Sequence, residues 1–124
     1  MAPRILVAED ETLAAIAIED MLRDAGYDVL LASDGQQALE IAALNEIDLL
    51  LTDLRMPRLS GNELVRKLRE GRPGLPVVVM TGYAPPGGVG ALQSGYGPMV
   101  LLNKPLDPDE LLESIRVLTG SRPG

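Results

Sequence analysis

Short apolar runs alternate along the chain with longer stretches whose apolar positions recur at helical spacing, the signature of repeated β-α units. Arg4 to Ala8 reads as the first strand. From Glu11 to Ala25, residues Ala14, Ile18, Met21, Leu22 and Ala25 fall on one helical face, and Gly26 supplies a C-terminal cap. Asp28 to Ala32 is the second strand. Ser33 or Asp34, each with a Gln three residues later, caps a helix that turns Ala38, Leu39, Ala42 and Leu44 toward the core. Ile47 to Thr52 is the third strand, and its Leu49-Leu50-Leu51 run lacks polar alternation, as a central strand covered on both faces should. Beyond Pro57 and Gly61, Ser60 and Glu63 form a capping box for a helix carrying Leu64, Val65 and Leu68, which Pro73-Gly74 closes. Val77 to Met80 and Met99 to Leu102 are the fourth and fifth strands. Asp107-Pro108-Asp109-Glu110 opens the last helix with a cap, a Pro at the first position and acids near the positive end. Leu111, Leu112, Ile115 and Leu118 form its buried stripe.

The rhythm breaks once. Gly82 to Pro98 holds Pro85, Pro86, Gly87, Gly88, Gly90, Gly95 and Gly97, so the fourth of five helices is expected to be short or irregular, with Val89 to Gln93 as its helical turn. The alternative is an ordinary helix imposed by packing after residue 87, since each Gly weighs only ~1 kcal/mol against it. Strict alternation gives an α/β fold, a five-stranded parallel sheet with helices on both faces; right-handed crossovers then leave few topologies, of which the doubly wound, flavodoxin-like order 2-1-3-4-5 leads. In such a sheet the ligand crevice lies at the carboxyl ends of strands one and three.

Composition narrows the chemistry. The 124 residues make one domain with a core spanning residues 4–118; 46% are hydrophobic and only 2% aromatic, so that core is built from Leu, Ile, Val, Ala and Met. Eleven basic against eighteen acidic residues give a formal charge of −7, which argues against a nucleic-acid partner. The absence of cysteine excludes disulfides, thiolate metal sites and Cys nucleophiles. Histidine is absent as well, so any imidazole the chemistry needs comes from another molecule. The apolar run Ile5 to Ala8 stops at Glu9-Asp10-Glu11, far short of the ~20 residues of a membrane span. A cytoplasmic protein with no membrane partner is expected. Only Thr119 to Gly124 follow the last helix, so no effector domain is expected either.

The polar residues that interrupt the strands carry complementary chemistry. Glu9 and Asp10 end strand one, Asp53 ends strand three, Thr81 ends strand four and Lys104 ends strand five. Taken singly, each has an ordinary explanation: a first-turn acid, an Asx-type turn, a strand end, a solvated loop charge. Taken jointly, the topology carries all of them to one edge of the sheet. Three neighbouring carboxylates repel one another unless a cation intervenes, and an open site of hard oxygen ligands suits Mg²⁺. A carboxylate beside Mg²⁺ and an ammonium can accept a phosphoryl group, with Thr81 donating a hydrogen bond to the product.

These residues resemble the receiver domain of bacterial two-component response regulators, from Ile5 to Leu118. The motifs are Glu9-Asp10, Asp53-Leu-Arg-Met-Pro-Arg-Leu-Ser-Gly61, Thr81-Gly82 and Lys104-Pro105. The resemblance implies that Asp53 accepts a phosphoryl group from a phosphohistidine on a histidine kinase or histidine phosphotransfer domain. It implies Mg²⁺ held by Asp10, Asp53 and the backbone carbonyl of Arg55, with Glu9 acting directly or through water. Lys104 contacts the phosphoryl oxygens, Thr81 is the switch hydroxyl, and the Lys104–Pro105 bond is cis. The family also admits a weak homodimer. Such a chain modifies itself and is not a turnover enzyme.

Two departures stand out. Glu9 occupies a position where Asp is commoner, and Leu101 replaces the usual switch aromatic. Tyr83 and Tyr96 are assigned to loop packing. With no ring at Leu101, signal transmission is expected through ordering of residues 83–98. Competing readings share parts of this site. A phosphohydrolase with an aspartyl nucleophile needs an acid two residues beyond it, where Arg55 stands. A flavin protein needs an uncharged phosphate loop in place of Glu9-Asp10-Glu11. A degenerate receiver acting only as a docking module would not need Asp10, Asp53, Thr81 and Lys104 together. The Leu-Leu-Asn-Lys-Pro-Leu ending is closer to receivers of hybrid kinases than to those with DNA-binding outputs.

Overall fold

The computed structural model describes residues 2–82 and 98–120. Each apolar run is a five-residue strand: β1 (Arg4–Ala8), β2 (Asp28–Ala32), β3 (Leu49–Asp53), β4 (Val77–Thr81) and β5 (Met99–Asn103). The amphipathic stretches are α1 (Thr12–Asp24), α2 (Gly35–Leu44), α3 (Gly61–Gly71) and α4 (Pro108–Thr119). All strand pairs are parallel in the order β2-β1-β3-β4-β5, the doubly wound arrangement expected from the alternation. The short helix expected between β4 and β5, with Tyr83 and Tyr96, lies outside the described residues. So do residues 83–97 of the segment expected to order on signalling.

Successive strand residues point to opposite faces, and both faces are covered. Leu6, Ala8, Leu50, Val77 and Val79 pack with Ala38 and Ala42 of α2 and with Leu64, Val65 and Leu68 of α3. Ile5, Val7, Leu49, Leu51, Val78 and Met80 pack with Ile18 and Leu22 of α1 and with Leu111 and Ile115 of α4. This double burial is why β3 reads as an unbroken Leu run. No helix among the described residues is long and apolar enough to cross a membrane.

The helix ends follow local chemistry. Asp34 caps α2 by accepting the Gln37 N–H at 2.7 Å, and Ser60 with Glu63 forms the expected capping box on α3. Asp107 accepts the Asp109 N–H at 2.9 Å, with Pro108 at the start of α4. Gly26 adopts φ +95°, and the N–H groups of Gly26 and Tyr27 close the end of α1 on the carbonyls of Arg23 and Leu22. One expectation is overturned. Leu44 is 85% exposed rather than turned to the core, because two residues beyond buried Ala42 a helix has rotated about 200°, to its far side.

The loop after β3 closes tightly against the strand end. The Gly61 N–H donates to the Leu54 carbonyl at 2.9 Å, and a Cβ on Gly61 would lie 2.2 Å from the Asp53 carbonyl oxygen. Glycine is therefore required for the start of α3 to approach the end of β3. Gly61→Ala should lower stability by about 1–3 kcal/mol, since only backbone movement relieves the overlap. Thermal unfolding checks this; an unchanged melting temperature would count against the close approach.

Candidate functional site

The site is assembled where the apolar strands run out. β1 delivers Glu9 and Asp10, whose register is held by the Glu9 N–H on the Ala32 carbonyl of β2 at 3.0 Å. β3 extends two residues beyond its apolar run, through Thr52 to Asp53, and β4 extends one, to Thr81. The Lys104 N–H donates to the Thr81 carbonyl at 2.8 Å, so the β4–β5 ladder continues to the lysine. The Lys104–Pro105 peptide is cis, as the resemblance implies.

Lys104 joins the two sides of the crevice. Its Nζ donates to Glu9 Oε1 at 2.9 Å and to Asp53 Oδ2 at 2.8 Å, contacts spanning 95 and 51 residues of sequence. The Glu9 side chain is wholly buried, and its second oxygen, Oε2, accepts the Glu11 N–H at 3.1 Å. Asp53 is nearly buried, with Oδ1 3.4 Å from the Arg55 N–H, while Asp10 is exposed. Oxygens of Glu9, Asp10 and Asp53 all lie within 4.8 Å of one another. Three carboxylates against one ammonium leave the cluster net negative. Hard oxygen donors at that spacing fit a hard divalent cation such as Mg²⁺.

Burial dominates at Glu9 and raises its pKa above 4.5, joined by the charge of Asp53 and opposed by the hydrogen bonds from Lys104 and the Glu11 N–H. At Lys104, burial works against the charged form. The hydrogen bonds and charges of Asp53 and Glu9 together outweigh it and hold the pKa above 10.5. The ammonium thus stays protonated.

The structure brings together Glu9, Asp10, Asp53 and Lys104, and places Thr81, 3% exposed, on the same edge. Arg55 follows Asp53 in the loop with its backbone N–H toward that carboxylate. Leu101 stands apart from the cluster: it pairs with Val79 across the ladder and packs, half-buried, against the core beneath α2 and α3. Sequence reading misses the Glu9–Lys104 contact. Its one signal is the extra methylene of Glu9 where a shorter acid is expected.

A sequence profile of the response regulator receiver domain matches residues 5–116. The chain belongs to the receiver domain family. This receiver domain is 35% identical to the Transcriptional regulatory protein PdtaR of Mycobacterium tuberculosis, over 92% of this chain and 55% of that protein. Over 64% of the chain it is 42% identical to the Sensor protein EvgS of Escherichia coli, of which the match spans only 7%. The chain covers about half the length of the first curated relatives it matches. Among solved structures, a CheY-like receiver domain protein of Methanospirillum hungatei superposes with a TM-score of 0.86 at 30% identity, covering 97% of this chain and 95% of that one. The receiver domain of the sensor histidine kinase PA1611 of Pseudomonas aeruginosa superposes with a TM-score of 0.83 at 31% identity, covering 98% and 100%. That structure holds a magnesium ion coordinated in the active site cleft. Receiver domains pair with histidine kinases and act as signalling switches rather than turnover enzymes.

The raised Glu9 pKa fixes the sign of a pH effect. The folded chain holds this proton more tightly than the unfolded chain does. The resulting stability is full below the ordinary value of 4.5 and is lost as pH rises through the raised one. Metal-free Glu9→Gln should therefore melt above wild type at pH 7, with the difference closing below pH 4.5. Melting curves at the two pH values decide it, and a difference independent of pH would contradict the assignment.

Proposed function

We propose that this chain is a phosphoryl-accepting switch, in which Asp53 takes a phosphoryl group from a phosphohistidine on a histidine kinase or histidine phosphotransfer domain. The observation that carries the reading is the Lys104 ammonium, 2.8 Å from an Asp53 carboxylate that ends a buried strand beside Glu9 and Asp10. A carboxylate oxygen of Asp53 attacks phosphorus, the new O–P bond forms, and the P–N bond breaks with its electron pair returning to the donor imidazole. Since the chain contains no histidine, the donor ring is necessarily another molecule's.

Asp10, Asp53 and the backbone carbonyl of Arg55 would hold Mg²⁺, with Glu9 adding its charge to the cluster. When bound, the cation offsets charge on the phosphoryl oxygens. Lys104, already charged and 2.8 Å from Asp53, would do the same. Thr81, at the end of β4 and linked through its carbonyl to Lys104, is the candidate hydroxyl for the phosphorylated form. Leu101 provides no aromatic ring, so the family's coupled movement of hydroxyl and ring has no counterpart at that position.

Wild-type protein incubated with Mg²⁺ and a small-molecule phosphodonor should gain one phosphoryl group by intact mass. Asp53→Ala should gain none, and chelation of Mg²⁺ should abolish the gain. Lys104→Ala should slow it by on the order of a hundredfold, the usual loss for one preorganised charge-stabilising group. A wild type that never gains the group, or an Asp53→Ala variant that gains it equally, ends the proposal.

A further inference from the structure

We propose that Arg69 is the clasp that keeps the edge strand β5 in the sheet, and that releasing it draws Lys104 away from Asp53. Arg69 lies at the amino ends of β4 and β5, the far end of the sheet from the carboxylates. The consequence for phosphoryl transfer rests on the acceptor reading; the clasp itself does not.

β5 needs such a fastening. Nearly every residue of β1, β3 and β4 is buried, whereas β5 lies at the edge of the sheet and only Leu102 of its five residues is buried. Packing therefore holds it less firmly than its neighbours. Arg69 sits in the last turn of α3 and is itself buried. Its Nε and Nη2 donate to the Leu75 carbonyl at 3.2 and 3.0 Å, which fixes the guanidinium beside its own helix. Nη2 also donates at 2.8 Å to the Pro98 carbonyl, 29 residues away at the entry to β5. The same carbonyl accepts the Val77 N–H at 3.0 Å, so the guanidinium bonds the first rung between β4 and β5. Among the described residues no carboxylate pairs with Arg69, and its buried Nη1 has no partner. A charge buried in this way is costly, and a packing role alone would be better filled by an apolar side chain. The carbonyl bonds are what the charge contributes, and the one to Pro98 reaches another element.

That bond closes a ring through the acceptor site. α3 begins against Asp53, where the Gly61 N–H meets the Leu54 carbonyl at 2.9 Å, and its last turn carries Arg69. β5 begins beyond Pro98 and leads to Lys104, whose ammonium returns to Asp53 at 2.8 Å. Once the clasp opens, β5 is held by its ladder and a half-buried face. It then lifts as a unit and takes the ammonium with it. The chain with β5 in place is the one competent to accept a phosphoryl group, and Arg69 sets its share of the population.

Amide exchange of the whole chain, followed by NMR without Mg²⁺ or phosphodonor, tests the clasp. In wild type the β5 amides and that of Lys104 should exchange together, and faster than those of Leu50 and Leu51 in β3. Arg69→Met should accelerate this group on the order of ten- to a hundredfold, the loss of one hydrogen bond from a charged donor. Amides of α1, which open without breaking the clasp, should keep their rates. A folded Arg69→Met chain whose Lys104 amide exchanges as in wild type overturns the proposal. So does a wild type in which β5 exchanges no faster than β3. Should Arg69→Met fail to fold, Arg69→Lys keeps the charge without the planar fork and should show the same acceleration at smaller size. A wild type that takes no phosphoryl group would sink the acceptor reading and leave the clasp to be decided by exchange.

Discussion

Lys104 closes the crevice of this receiver domain by holding two carboxylates whose strands are far apart in sequence. Its ammonium lies 2.8 Å from Asp53 and 2.9 Å from Glu9, both largely removed from water. Like charges so placed repel, and a buried carboxylate without a partner would neutralise by taking up a proton. The lysine offsets part of that repulsion in the metal-free chain. The rest of the fold serves this contact. The β4–β5 ladder carries Lys104 to Thr81, the β1–β2 ladder fixes Glu9 against Ala32, and Gly61 lets α3 begin directly against the Asp53 carbonyl. The parallel sheet supplies the reason all of these meet. Its strands are apolar on both faces, so polar chemistry is admitted only where they end.

What the sequence revealed follows from the range of the interactions involved. The strands were legible because burial on both faces leaves runs such as Leu49-Leu50-Leu51 with no polar break. The caps at Asp34, Ser60 and Asp107 were legible because a cap bonds backbone two or three residues away. The members of the site were legible because topology sends every strand end to the same edge. Leu44 was misplaced because apolar character was allowed to stand in for phase around α2. The pairing of Glu9 with Lys104 was out of reach for a different reason. It joins residues 95 positions apart, and no local pattern reports which of several acids the ammonium will prefer.

The aliphatic residue at Leu101 changes what the edge strand can do. Where an aromatic ring can swing between two positions, Leu101 is packed against the core under α2 and α3 and paired in register with Val79. β5 is also held at both ends. At its carboxyl end the Lys104 N–H binds the Thr81 carbonyl at 2.8 Å. At its amino end Arg69, only 7% exposed, donates to the Pro98 carbonyl at 2.8 Å and to Leu75 at 3.0 Å. Burial lowers the Arg69 pKa, and its Nη1 finds no hydrogen-bond partner among the described residues, yet the guanidinium bonds three times to carbonyls.

Such a strand resists sliding. Movement at its amino end breaks a charged hydrogen bond from Arg69, and movement at its carboxyl end breaks the backbone bond from Lys104 to Thr81. Asp53 meets the carboxyl end of β5 through Lys104, whose ammonium also bonds Glu9 and whose backbone N–H bonds the Thr81 carbonyl. Leu101 is half-buried and paired with Val79, while the Lys104 ammonium ties Asp53 to the end of the edge strand.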